Sequence, residues 1–278
     1  MHSQSRSAQS KRRGFSLVEL AIVMSIVAFL LGGLMFTLSA QTEQRNIEET
    51  RRRLEMARDL VLAFTVVNGR LPCPARSTSG GAEARDTATG QCTSGGVEDY
   101  YGGTLSGGAT GGLLPAQTIG YQQVDSAGFA VDAWQNRIRY AVAKSVASGT
   151  CSGTFVNPHF VNAANMKANG IACQPGDLLV CKSATGITSS ACGGAANQIM
   201  TTSLVVAIFF STGKNGASGA AGADEAANLD VAVGSGNPIF VYHTPSSSAA
   251  TNGEFDDQLI WITVGELYGK LIAAGQLP

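Results

Sequence analysis

The stretch KRRGFSLVELAIVMSIVAFLL, residues 11–31, decides how the rest of the chain is read. Its last charge is Glu19, and no charged residue follows between Leu20 and Thr42. That run, AIVMSIVAFLLGGLMFTLSA at its centre, is apolar almost throughout. As a helix it reaches about 35 Å at about 1.5 Å per residue, enough to cross a hydrocarbon core of about 30 Å. A helix in a soluble core needs one apolar stripe, not an apolar circumference. The flank before it holds Arg6, Lys11, Arg12 and Arg13 and no acid. By the positive-inside rule that flank stays in the cytoplasm and the rest of the chain crosses the membrane.

Three interpretations of this segment compete. A secretory signal peptide has a shorter apolar region and a small-x-small cleavage site, and Leu38-Ser39-Ala40 is a poor version of one. A plain anchor accounts for the length and the flank but leaves the acid at Glu19 without a reason. A carboxylate costs up to about 2.5–3.5 kcal/mol at the centre of a membrane helix, less near its end, so something should compensate it. The third explains Glu19. The string resembles the N-terminus of type IV pilins and pseudopilins, the prepilin family. The resemblance implies that prepilin peptidase cleaves after Gly14, that Phe15 becomes the N-methylated first residue, and that Glu19 pairs with the Phe amine of a neighbouring subunit during assembly. It implies a single-pass inner-membrane precursor, N-terminus cytoplasmic and head periplasmic, that moves into a periplasmic or extracellular filament. The partners implied are identical or related subunits in a helical filament, the peptidase, an inner-membrane assembly platform and, before assembly, membrane lipid.

Outward from this segment the charge thins. Residues 1–59 carry fifteen of the charged side chains, and the other 219 residues carry twenty-four. The net charge of -1 gives no global drive toward nucleic acid or anionic lipid. After the apolar run, Ile47, Leu54, Ala57, Val61 and Phe64 recur at helical spacing. Glu48 and Glu49 stand four before Arg52 and Arg53, which supports an exposed helix face. Asn68-Gly69 is a natural stop. The expected organisation is a leader, 1–14; a transmembrane and assembly helix, 15–42; its amphipathic continuation, 43–69; and an exported head, 70–278.

The head is expected to be rich in strands. Segments 137–146, 178–182, 202–211, 238–243 and 258–264 are β-branched and aromatic, separated by Gly/Ser/Ala/Asn loops, and 264–274 suits a short helix. The fold class predicted is α+β: a long N-terminal helix, half membrane-embedded and half amphipathic, packed on an antiparallel sheet with Gly-rich, disulfide-stapled loops. NGRLPCP after the helix and DAWQNRIRY at 132–140 look like the family's helix exit and its D-x-W-G-N turn, with Gln135 in place of the usual Gly. The head exceeds that of a typical major pseudopilin, which favours a minor pilin or a divergent subunit.

Cys73, Cys92, Cys151, Cys173, Cys181 and Cys192 all follow the apolar segment, and no two form a C-x-x-C pair. An even count in an exported domain reads as three disulfides. Fifteen connectivities are open, of which neighbour pairing, 73–92, 151–173 and 181–192, is the simplest. Asn215, Asp224, Glu225, Asp230, Asp256 and Asp257 could offer hard oxygen ligands to calcium, with Gly216 and Gly219 letting the loop curl. There is no EF-hand spacing, and the calcium expectation leans on a resemblance to the loop that binds calcium in major pseudopilins. Enzyme signals are nearly absent: His159 and His243, the head's only histidines, lie in no hydrolase or zinc motif, and no basic, aromatic-interleaved groove suggests nucleic acid. The function expected is a structural pilus subunit; the alternatives are a type II secretion pseudopilin and a membrane-anchored binding module or adhesin.

Overall fold

The computed structural model describes residues 16–88, 92, 112–146, 151, 159–188, 190–216, 219, 222–229 and 238–277, and of 33–40 the backbone alone. The first element is α1, Leu17–Asn68, 52 residues long. The chain divides into two units, 1–45 and 46–278, and each is taken by itself.

In the first unit the helix shows its apolar side chains to solvent: Leu17 is 87% and Phe29 85% exposed, and Leu20, Ile22, Val23, Met24, Ile26, Leu30 and Leu31 are exposed as well. Among the described residues no helix is long and apolar enough to cross a membrane. The apolar stretch with described side chains, 17–32, covers about 24 Å at about 1.5 Å per residue, short of a bilayer core of about 30 Å. The crossing expected over 15–42 therefore rests on the sequence.

In the second unit α1 buries one face. Thr50, Leu54, Ala57, Val61, Leu62 and Thr65 are buried, and Ile47 and Phe64 lie half-buried beside them. The expected stripe is the core face, widened by two threonines. Thr65 fits because its hydroxyl donates to the Val61 carbonyl at 2.6 Å. The opposite face carries the Arg51–Glu55 and Arg52–Glu49 ion pairs, while Arg53, also paired with Glu49, lies at the border and donates to the Asp132 carbonyl at 2.7 Å. The helix stops where expected: Gly69 takes φ +66°, and its N–H donates to the Thr65 carbonyl at 2.8 Å.

Among the described residues the strands form two three-stranded sheets. In the first, β1 (Arg139–Val142), β4 (Val205–Ser211) and β6 (Gln258–Thr263) run antiparallel in the order β1-β4-β6. Every residue of β4 is buried, which is why VVAIFFS is apolar without alternation. Tyr140, Phe209, Ile208 and Ile262 join Leu54, Ala57 and Val61 in one core. The second sheet has the order β3-β2-β5, with β2 (Leu179–Cys181), β3 (Gln198–Met200) and β5 (Ile239–Val241). Here β2 pairs antiparallel with β3 and parallel with β5. The expectation of one antiparallel sheet is corrected in this respect. The chain between β2 and β5 is long enough to return to the same end, which parallel pairing needs. The short β3 went unpredicted because QIM offers no alternation to read.

Among the described residues the head holds four shorter α-helices: α2 (Ala116–Ile119), α3 (Ala163–Asn169), α4 (Ala223–Leu229) and α5 (Val264–Ala273). The last begins where the sequence suggested. Thr263 caps it by accepting from the Glu266 N–H, and Glu266 pairs with Arg58 of α1. Disulfides join Cys73–Cys92, Cys151–Cys173 and Cys181–Cys192, the neighbour pattern.

Candidate functional site

The first candidate is the first turn of α1, where an assembly role is expected. The expected cleavage and methylation positions, Gly14 and Phe15, lie outside the described residues. Glu19 lies within them. Its carboxylate accepts the Ser16 N–H at 2.9 Å, while the Ser16 hydroxyl accepts the Glu19 N–H at 3.2 Å. This reciprocal arrangement is a capping box of the S-x-x-E type, in which two orphan N–H groups of the helix end are satisfied. Glu19, a carboxylate expected to need compensation, thus has a partner three residues away in its own chain. Ser25, the other polar residue of this stretch, donates to the Ala21 and Ile22 carbonyls and leaves no donor to lipid. What remains on this segment is bare apolar surface of a kind soluble domains do not leave unmatched.

The second candidate lies in the head, where α4 meets the loop after β4 and the residues leading into β6. Carboxylate oxygens of Glu225, Asp256 and Asp257 lie within 4.8 Å of one another. Glu225 is held by the Asn215 side-chain amide, 3.0 Å from both oxygens, and by the Asp256 N–H at 3.0 Å. Asp256 Oδ2 accepts the Lys214 N–H at 3.0 Å, whereas Oδ1 is buried with no hydrogen-bond partner. Asp257 Oδ2 accepts from Asn228 at 2.8 Å. Burial, then the neighbouring Glu225 charge, pushes the Asp256 carboxyl up to about 6. Burial drives Asp257 well above the usual carboxylate range. Gly213, at φ +61°, lets the loop close, because a Cβ there would stand 1.8 Å from Asp256 Oδ1. Three converging carboxylates, one oxygen of them orphaned, suit a hard cation with oxygen ligands, and calcium fits this donor set.

Of the calcium residues read from the sequence, the fold brings together Asp256 and Asp257 with Glu225, and sets Asn215 against Glu225. It takes Asp224 away. Its Oδ1 accepts from the Ala184 N–H at 2.5 Å and from Asn252 at 3.0 Å, and its Oδ2 faces His243 Nε2 at 3.0 Å. Asp224 and Glu225 are adjacent on a helix and point to different neighbours, so one of the two had to leave the cluster. Asp230 lies outside the described residues. Asn228 was missed, because nothing in AANL distinguishes an amide buried against Asp257 and the Val241 backbone. Neither head histidine belongs to the carboxylate cluster. His243 lies between Asp224, the Thr244 carbonyl and the Phe255 ring, stacked at 3.9 Å. His159 is fully buried with neither ring nitrogen hydrogen-bonded.

Residues 9–35 match the family model of the prokaryotic N-terminal methylation motif, the signature of type IV prepilins and pseudopilins. No curated protein and no solved structure matches the chain.

Proposed function

We propose that this prepilin-type chain is a filament subunit, a minor pilin of a type IV pilus, stored as a single-pass inner-membrane protein and drawn into the filament through α1. The observation that carries this is the methylation motif lying on a helix whose apolar side chains, from Leu17 to Leu31, have no protein against them. Lipid before assembly and neighbouring helices after it are two apolar surroundings, so transfer between them exposes little of that surface to water. Cleavage between Gly14 and Phe15 creates a positive amine one turn from Glu19, and that amine on a neighbouring subunit is the docking partner of the carboxylate. The size of the head favours a minor subunit over a major pseudopilin. A pseudopilin of a secretion system is the second reading, since it uses the same N-terminal chemistry.

The test is the intact mass and N-terminal sequence of the protein from its native membrane. A chain beginning at methylated Phe15 supports the proposal; one beginning at Met1 or near Gln41 removes it. Glu19→Ala should then insert normally and fail to enter filaments. Filament composition separates the two assignments, a minor pilin being a small fraction of pilus subunits.

The carboxylate cluster is proposed as a calcium site held by Glu225, Asp256 and Asp257, with Asn215 orienting Glu225. The raised carboxyl of Asp256 gives the metal-free head a contribution to stability that is present below about pH 4 and is lost as pH rises through about 6, where Asp256 ionises. Calcium should therefore raise the melting temperature by several degrees at pH 7 and less at pH 5. Asp256→Asn should remove that response while stabilising the metal-free head. A melting temperature indifferent to calcium and to EGTA at pH 7 would discard the site.

A further inference from the structure

We infer that Asn228 is the positioning residue of the proposed calcium site, holding Asp257 in place and passing cation binding on to the edge of β5, a role that rests on the calcium reading above. Asn228 stands in the last turn of α4 and is 1% exposed. Its carboxamide is engaged at both ends. Nδ2 donates to the Val241 carbonyl at 3.0 Å and to Asp257 Oδ2 at 2.8 Å, and Oδ1 accepts the Val241 N–H at 2.6 Å. An amide has two hydrogens to give and an oxygen that accepts, so these three bonds fix its orientation. Turned over, it would set its oxygen against both the Val241 carbonyl and the Asp257 carboxylate.

The partners belong to different parts of the head. Asp257 stands immediately before β6 of the first sheet, and Val241 is the last residue of β5 in the second. Among the described residues β5 is an edge strand, paired with β2. The Tyr242 N–H donates to the Cys181 carbonyl at 2.9 Å, so the Val241 N–H and carbonyl, one residue back, face away from β2. Asn228 meets both of them there, as a neighbouring strand would. A carboxylate that ligates a cation does so ionised, and an ionised oxygen is the stronger acceptor for the Nδ2 hydrogen. Donation to it polarises the carboxamide and strengthens Oδ1 as the acceptor of the Val241 N–H. From Asp257 to β5 the path is two hydrogen bonds long. Linkage makes it reciprocal: the factor by which calcium favours a closed β5 edge is the factor by which a closed edge favours calcium. Asn228 stands outside the ligand set and acts through Asp257, as the hydrogen-bond partners of metal ligands do.

The experiment uses the full processed chain, isotope-labelled, in detergent micelles at neutral pH, with calcium chloride or EGTA. Calcium should slow exchange of the Val241 amide about fivefold more than that of the Ile208 amide in β4, the difference between a neutral and a charge-assisted hydrogen bond. Equal slowing at the two amides would mean general stabilisation and overturn the coupling. Asn228→Ser, too short to span the same partners, should weaken calcium binding about tenfold or more by isothermal titration. A variant that melts lower yet binds calcium like the wild type would make Asn228 a structural amide and overturn the positioning role. Should that variant not fold, Asp257→Asn decides, since an amide there can keep an oxygen toward Asn228 while losing the charge. It should show wild-type Val241 exchange in EGTA and lose the extra slowing in calcium; extra slowing that persists would overturn the route through Asp257. A wild-type chain with no calcium isotherm would defeat the calcium reading and the coupling together, whereas binding with no Val241 response would defeat the coupling alone.

Discussion

Gln135 is the one non-glycine among the described residues with a positive φ, +70°. It occupies a turn pinned by Asp132, whose Oδ1 accepts the Trp134 and Asn136 N–H groups at 2.9 and 2.8 Å and whose Oδ2 accepts the Ser211 hydroxyl at 2.5 Å. That network, tying the turn to the end of β4, over-determines a conformation that a side chain resists by roughly 1–2 kcal/mol. Gln135→Gly should stabilise the head by about 0.5–1 kcal/mol, less than the full strain because glycine also loosens the unfolded chain. A lower denaturant midpoint would show that the Gln side chain contributes something beyond the turn. His159 gives a second prediction at this scale. Burial pulls it down to about 4 from 6.5, so its contribution is intact above pH 6.5 and lost as pH falls toward 4. His159→Leu should melt close to the wild type at pH 7.5 and well above it at pH 4.5, where protonating the histidine costs the wild type on the order of 2–3 kcal/mol. Equal acid sensitivity in the two proteins would place the titration elsewhere.

At the scale of the element, the head portion of α1 separates burial from mere apolarity. Leu54 is fully buried, whereas Met56, two residues on, is 37% exposed and lies with Leu60 and Ala63 along an open groove on the helix's outer face. Leu54→Ala should cost the isolated protein about 2–4 kcal/mol through lost burial and the cavity left behind. Met56→Ala should cost under about 0.5 kcal/mol by the same measure, as surface changes do. Paired chemical denaturation of the two variants checks this. Similar losses would mean that the outer face is covered in the folded chain. The stripe was legible in the sequence because helical periodicity is a local rule. The partition of Asp224 and Glu225 was not, since both are acids at the start of α4 and only their neighbours, His243 for one and Asp256 for the other, tell them apart.

For the whole molecule, the two sheets differ in what holds them. The β1-β4-β6 sheet shares the main core with α1, and the second sheet divides between two clusters: Val180 and Phe240 join that core, while Leu179, Cys181, Cys192 and Ile239, with Ile187 against them, form a small separate cluster. Such a cluster is too small to be stable alone, so the Cys181–Cys192 bridge does proportionately more there. Replacing both with Ser should cost about 2–3 kcal/mol and speed amide exchange at Leu179–Cys181 well before that of β4. Uniform loss of protection across both sheets would mean that the head unfolds as one cooperative unit. The sequence by itself determined the apolar segment with its basic flank, the amphipathic helix and its stop at Asn68-Gly69, five of the six strands among the described residues and the disulfide-bearing head. These are written in nearest-neighbour chemistry, hydrophobic period and spacing, whereas the methylation motif was legible only by resemblance to its family. Only the tertiary structure decided that the strands split into two sheets, one with a parallel pair, that Glu225 joins Asp256 and Asp257 while Asp224 turns to His243, and that Glu19 already has a partner in Ser16. Strand order and carboxylate convergence depend on loop closure between residues far apart in the chain, and the S-x-x-E box, though local, declares itself only once the helix is seen to begin at that serine.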